Sequence, residues 1–95
     1  MALIGLSQKA GKVASGEFST EKAVKDGKAK LVIVAEDASD NTKKKFNNMC
    51  TYYEVPYYLC GDKVQLGNAI GKEFRASLAI VDDNFAQAIS KQIVE

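Results

Sequence analysis

The sequence predicts an α/β fold, a three-layer α/β/α sandwich built on a four-stranded mixed sheet. Two observations carry that expectation. Segments with helical and strand periodicity alternate at short, regular spacing, which calls for crossover connections. One of them, Leu31 to Ala35 (LVIVA), is a continuous and largely β-branched run, the mark of a central strand covered on both faces. At 95 residues, 46% hydrophobic and 26% charged, the chain has the length and composition of one ordinary domain, residues 1–95.

The elements follow in order. Leu3, Leu6 and Ala10 recur at helical spacing, and Gly11 is placed to end that first helix. Val13 and Ala14 form a short strand, with Gly16 permitting a sharp exit. A second helix runs from about Phe18 to Asp26, turns Thr20, Ala23 and Val24 inward, and stops at Gly27. After the central strand, Ser39 or Asp40 caps a third helix, whose inward stripe is Phe46, Met49, Cys50 and Tyr53. Val55 to Leu59 is a strand near an edge, because Pro56 has no amide hydrogen to donate to a ladder. Asp62 caps a helix carrying Leu66, Ala69 and Ile70, which Gly71 ends. Leu78 to Val81 is the fourth strand, and Asp83 caps a last helix with Phe85, Ile89 and Ile93 inward.

Several chemistries are excluded or weakened. The chain has no histidine, which removes imidazole bases, Ser-His and Cys-His nucleophiles and imidazole metal ligands. Its two cysteines, Cys50 and Cys60, are too few for a zinc site or a disulfide framework and read as reduced packing residues. The segment Gly5 to Lys12 (GLSQKAGK) imitates a phosphate loop. It has five residues between the glycines where four are required, and Val13 stands where Ser or Thr must reach magnesium. Glu36-Asp37 and Asp82-Asp83 fall at the ends of core strands, where carboxylate pairs can hold magnesium. Asp83 and Asp37 are more simply helix caps or dipole partners. The sequence therefore predicts no catalytic residue, no metal site and no cofactor. It has no membrane-spanning run and no signal-peptide pattern, so the expected location is the cytoplasm.

Charge is distributed unevenly. Residues 1–30 hold six lysines against three acids, whereas residues 31–95 hold seven basic and nine acidic residues. A local basic surface matters more to a nucleic-acid binder than the net charge of +1. On the second helix Phe18, Lys22 and Lys25 stand together, opposite the apolar stripe. Phe18 reads either as a staple folded against its own first turn or as a base-stacking ring flanked by phosphate-neutralising cations. Gly16 would let a phosphate approach the helix N-terminus, with Lys9, Lys12 and Lys28 extending the positive surface.

The stretches GLSQKAGKVASGEFSTEKAVKDGKAKLVIVAEDASDNTKKK and YYEVPYYLCGDKVQLGNAIGKEFRASLAIVDDNFA resemble the L-seven-Ae / L-thirty-e ribosomal protein family, above all its small bacterial, YlxQ-like branch. The resemblance covers nearly the whole chain. It implies an L-thirty-e-like sandwich that binds structured RNA, in many members the kink-turn, a sharply bent duplex with tandem sheared G·A pairs. The family's recognition helix begins with a pattern like G-T-N-E-T-T-K, which falls on Gly16, Glu17, Phe18, Ser19, Thr20, Glu21 and Lys22. Gly16, Thr20 and Lys22 match. Phe18 and Ser19 replace the Asn and Glu that read base edges, and a phenyl ring makes no such hydrogen bond. Asp26 stands where a basic residue is common. A second contact loop maps to Gly71-Lys72-Glu73-Phe74-Arg75-Ala76, with Glu73 matching and Phe74 as an apolar replacement.

The expected function is therefore that of a small, non-enzymatic, monomeric RNA-binding protein. Its surface would join Lys12, the start of the second helix and Lys25 to the loop Glu73, Phe74, Arg75 and Ala76. Its partners would be ribosomal or kink-turn-like RNA, with the ribosome or translation and transcription proteins as possible associates. The alternative is a protein-interaction module of that machinery without specific RNA binding, favoured by Glu17, Asp26 and the acidic remainder of the chain.

Overall fold

Four strands and five helices form among residues 1–94, the part that the computed structural model describes. In chain order they are α1 (Ala2–Lys9), β1 (Val13–Ser15), α2 (Glu17–Lys25), β2 (Leu31–Val34) and α3 (Asp40–Tyr53). Then come β3 (Tyr57–Leu59), α4 (Lys63–Ala69), β4 (Ser77–Ile80) and α5 (Asp83–Val94). The sheet order is β1-β4-β2-β3, with β4 antiparallel to both neighbours and β2 parallel to β3. All four residues of β2 and all four of β4 are buried, as a sheet layer covered on both faces requires. Helices α2 and α3 pack together on one face, and α1 packs with α4 and α5 on the other. The predicted sandwich is the observed one.

Most local expectations hold, with informative exceptions. In α1 the buried residues are Ile4 and Ser7, while Leu6 is 53% exposed and Ala10 lies on the surface. Ser7 can be buried because its hydroxyl donates to the Ile4 carbonyl at 2.8 Å, so no polar group is left unpaired. In α3, Phe46 and Cys50 are buried and Met49 half-buried, but Tyr53 is 42% exposed. The last turn of α3 still buries Cys50 against the sheet, and Tyr53, three residues further round the helix, turns to the surface. Burial pushes the Cys50 thiol up to about 11, which suits packing rather than reactivity; both cysteines are free.

The caps sort themselves out by geometry. Ser39, rather than Asp40, caps α3 by accepting from the Thr42 amide at 3.2 Å. Asp62 and Gln65 form a reciprocal capping box on α4. Asp82, not Asp83, caps α5: its carboxylate accepts from the Phe85 amide at 2.9 Å, three residues on. Asp37 also acts at a helix start, accepting from the Lys63 amide of α4 at 2.9 Å. The strand expected at Val55 to Leu59 begins only at Tyr57 and lies on the sheet edge, paired with β2 alone. The Pro56 carbonyl still accepts from Val32 at 2.9 Å. β4 starts at Ser77 and ends at Ile80, one residue earlier at each end than expected.

Candidate nucleic-acid interface

Gly16 joins the two segments that the sequence singled out. Its backbone, φ 89° and ψ 161°, belongs to a region that essentially only glycine occupies. In this conformation its N–H donates to the Ser77 carbonyl at 3.0 Å, while its own carbonyl accepts from Thr20 at 3.0 Å. The first turn of α2 is thereby fixed beside the chain leaving the loop 71–76. No side chain caps α2, so the amides of Glu17, Phe18 and Ser19 remain open at the positive end of the helix dipole. The two residues that bond the Gly16 backbone, Thr20 and Ser77, have hydroxyls that are buried and without a protein partner.

The outward face of α2 is aromatic and charged. Phe18 is 80% exposed, so neither core packing nor a staple accounts for it. Behind it, Phe18, Glu21, Lys22, Lys25 and Asp26 line a shallow groove of about 240 Å³. Its cations are not free. Lys22 pairs with Asp26 and Lys25 with Glu21, each at 2.8 Å across one helical turn. Lys45, reaching over from α3, pairs with both Glu17 and Glu21. Hydrogen bonds from Lys25, then from Lys45, pull the Glu21 carboxyl from 4.5 down to about 2. The pKa of Lys22 is raised in turn by its hydrogen bond to Asp26. These pairs are exposed, and a phosphate can exchange for a carboxylate at small cost.

The second segment is an irregular loop clamped at three points. The Lys72 amide donates to Gly67 at 2.8 Å, Arg75 to Lys63 at 2.9 Å, and Ala35 donates to the Ala76 carbonyl at 2.9 Å. The loop lies so close to α4 that a Cβ at Gly67 would sit 2.4 Å from the Phe74 Cα. Within it Glu73 is exposed, Phe74 is 58% exposed, and Arg75 and Ala76 are half-buried. The Arg75 guanidinium folds back to donate to the Phe74 carbonyl at 2.7 Å. Two exposed phenyl rings, Phe18 and Phe74, thus belong to two segments joined at one end of the sheet.

Not every candidate residue gathers there. The Lys12 carbonyl accepts from Val81, just past the end of β4, whereas the interface lies at the start of β4. Four strand residues separate the two, about 13 Å. Lys25 lies about 10 Å along α2 from Phe18. Sequence reasoning missed Gly67, Glu21 and Lys45. A glycine inside a helix and the i, i+4 pairs Glu21–Lys25 and Lys22–Asp26 were readable signals; the approach of Lys45, 24 residues from Glu21, was not.

The fold that carries this site is shared with known proteins. Residues 1–90 match the family described as "Ribosomal protein L7Ae/L30e/S12e/Gadd45 family". The chain belongs to this family. The RNA-binding protein YlxQ of Bacillus subtilis (strain 168) is 45% identical over 87 residues, covering 92% of this chain and 87% of that one. A Bacillus halodurans C protein of unknown function superposes with a TM-score of 0.96 at 36% identity, over 99% of this chain and 95% of that one. The Giardia lamblia 15.5kD RNA binding protein superposes with a TM-score of 0.81 at 27% identity, over 98% and 79%. The family resemblance read from Gly16 to Lys22 and from Gly71 to Ala76 therefore rests on a shared fold as well as on motifs. No described helix is long and apolar enough to cross a membrane.

Proposed function

We propose that this chain is a non-enzymatic RNA-binding protein that grips structured RNA with the first turn of α2 and the loop 71–76. One observation carries the reading. The Gly16–Ser77 hydrogen bond holds an uncapped helix N-terminus, exposed Phe18 and a clamped loop with exposed Phe74 at one end of the sheet. Open amides suit a phosphate, and the rings suit unpaired bases. Membership of a family whose relatives include YlxQ and the Giardia 15.5kD protein, both named RNA-binding, supports the same reading. In it Lys22, Lys25 and Arg75 neutralise phosphates, Phe18 stacks, and Phe74 packs against a splayed base.

The substrate class within structured RNA follows from Phe18 and Ser19. A ring and a short hydroxyl cannot reproduce base-edge hydrogen bonds of the Asn and Glu kind, so shape and stacking outweigh edge reading. The test is titration of a hairpin with tandem sheared G·A pairs and of a plain duplex at low salt. The chain should bind the bent hairpin, and Phe18→Asn with Ser19→Glu should widen its preference over the duplex. If neither RNA binds at low salt, the proposal fails. The second reading, a protein-interaction module, then gains from the pairing of Lys22 and Lys25 with Asp26 and Glu21, which tempers the positive surface.

A further inference from the structure

Exposed aromatic side chains occur on α3 as well as on α2. At the C-terminal end of α3, Tyr52 is 80% exposed and Tyr53 42% exposed. Their rings meet edge to face, with centroids 4.9 Å apart and planes at 79°. That contact is one aromatic pairs favour, and it orders the two rings while leaving ring surface open. Helices α2 and α3 run side by side in the same direction, since they connect the parallel strands β1 to β2 and β2 to β3. Lys45 pairs with Glu17 and Glu21, so Tyr53, eight residues or about 12 Å further along α3, comes level with the Lys25 end of α2. The Lys25 pKa is raised first by its hydrogen bond to Glu21, and Tyr53 adds to the shift through space. Phe18 and Lys25 line the same groove about 10 Å apart along α2, and the tyrosine pair lies outside it, toward its Lys25 end.

The surroundings of the pair argue for one class of occupant. Asn48, one turn before Tyr52, is exposed, as are Thr51, Glu54 and Lys25. The rings stand among polar groups and beside a cation. A protein interface centres on a contiguous apolar patch, which these two rings do not make. Isolated rings next to a lysine are what a stacked, unpaired nucleotide uses, because every base has a π-face and a nearby phosphate.

We propose that Tyr52 and Tyr53 form a second stacking platform, which receives unpaired nucleotides flanking the structured RNA after they cross Lys22 and Lys25. This assignment rests on the RNA-binding reading above and extends it by naming a single-stranded flank as part of the ligand.

The experiment compares a blunt hairpin carrying tandem G·A pairs with the same hairpin bearing a tail of about ten unpaired uridines on its 5′ or 3′ end. Each is titrated against the full chain, Tyr52→Ala/Tyr53→Ala and Tyr52→Phe/Tyr53→Phe, with melting temperatures measured alongside. A tail on one end should tighten binding to the unmodified chain by about tenfold. The alanine variant should lose that gain and keep its affinity for the blunt hairpin, while the phenylalanine variant should keep both. If the tails make no difference, or the alanine variant retains the gain, the platform is wrong. Blunt binding then survives, and the tyrosine pair is left to a protein partner. If neither hairpin nor free oligouridylate binds, the RNA reading falls and takes the platform with it.

Discussion

Phe18 and Gly67 show how single side chains separate function from stability. Phe18 is 80% exposed and buries little on folding, so Phe18→Ala should leave the melting temperature almost unchanged. Loss of one stacked base should cost about 1–3 kcal/mol in RNA affinity. Calorimetry and titration on the same preparation check both halves; a large drop in stability with unchanged binding would refute the stacking role. Gly67 is the reverse case. A methyl group there meets the Phe74 backbone at 2.4 Å, and backbone cannot turn aside as a flexible side chain can. Gly67→Ala should cost about 1–3 kcal/mol in denaturant unfolding, the usual range for overpacking. It should also weaken RNA binding by displacing the loop, without removing any group that touches RNA.

Among the elements, α5 and α2 carry the sharpest expectations. Asp82 accepts from the Phe85 amide, whereas Asp83 is an exposed residue of the first turn. Asp82→Ala should therefore cost about 1 kcal/mol by chemical denaturation, and Asp83→Ala only a few tenths. On α2, Glu21 holds both Lys25 and Lys45. Glu21→Gln should release the Lys25 ammonium toward the groove and leave Lys45 to Glu17 alone, strengthening RNA binding several-fold at low salt and steepening its salt dependence. The same carboxyl makes a pH prediction. Its folded pKa, about 2, lies below its ordinary 4.5, so its ion pairs stabilise the fold above 4.5. That contribution fades as pH falls from 4.5 toward 2. Melting curves of the parent chain and Glu21→Gln should converge across this interval, and a constant gap would show the pairs to be idle.

On the scale of the whole molecule, the net charge of +1 leaves little long-range attraction, so affinity has to come from local contacts. If Lys22, Lys25 and Arg75 each neutralise one phosphate, log K against log salt should slope about −2 to −3. Lys22→Ala should make it shallower by about one and weaken all RNAs alike. The proposed contacts centre on one end of a sheet whose inner strands are wholly buried, so variants of them should spare the core.

How much of this was legible in the sequence depends on the range of the interaction. Alternating periods, the LVIVA run and the stripe Thr20, Ala23 and Val24 determined the sandwich and the outward face of α2, because burial acts on every turn of the chain. The motif from Gly16 to Lys22 and that from Gly71 to Ala76 marked the two segments of the candidate interface. Only the tertiary structure decided that Gly16 bonds Ser77, that Lys12 lies at the far end of β4, and that Tyr52 and Tyr53 meet edge to face on the surface. It also chose Asp82 over Asp83, and Ile4 with Ser7 over Leu6, as the residues that act. Each of those outcomes depends on which groups meet across the fold or on a single hydrogen bond's geometry. Periodicity records which side of an element is apolar, but not where that element ends against its neighbours.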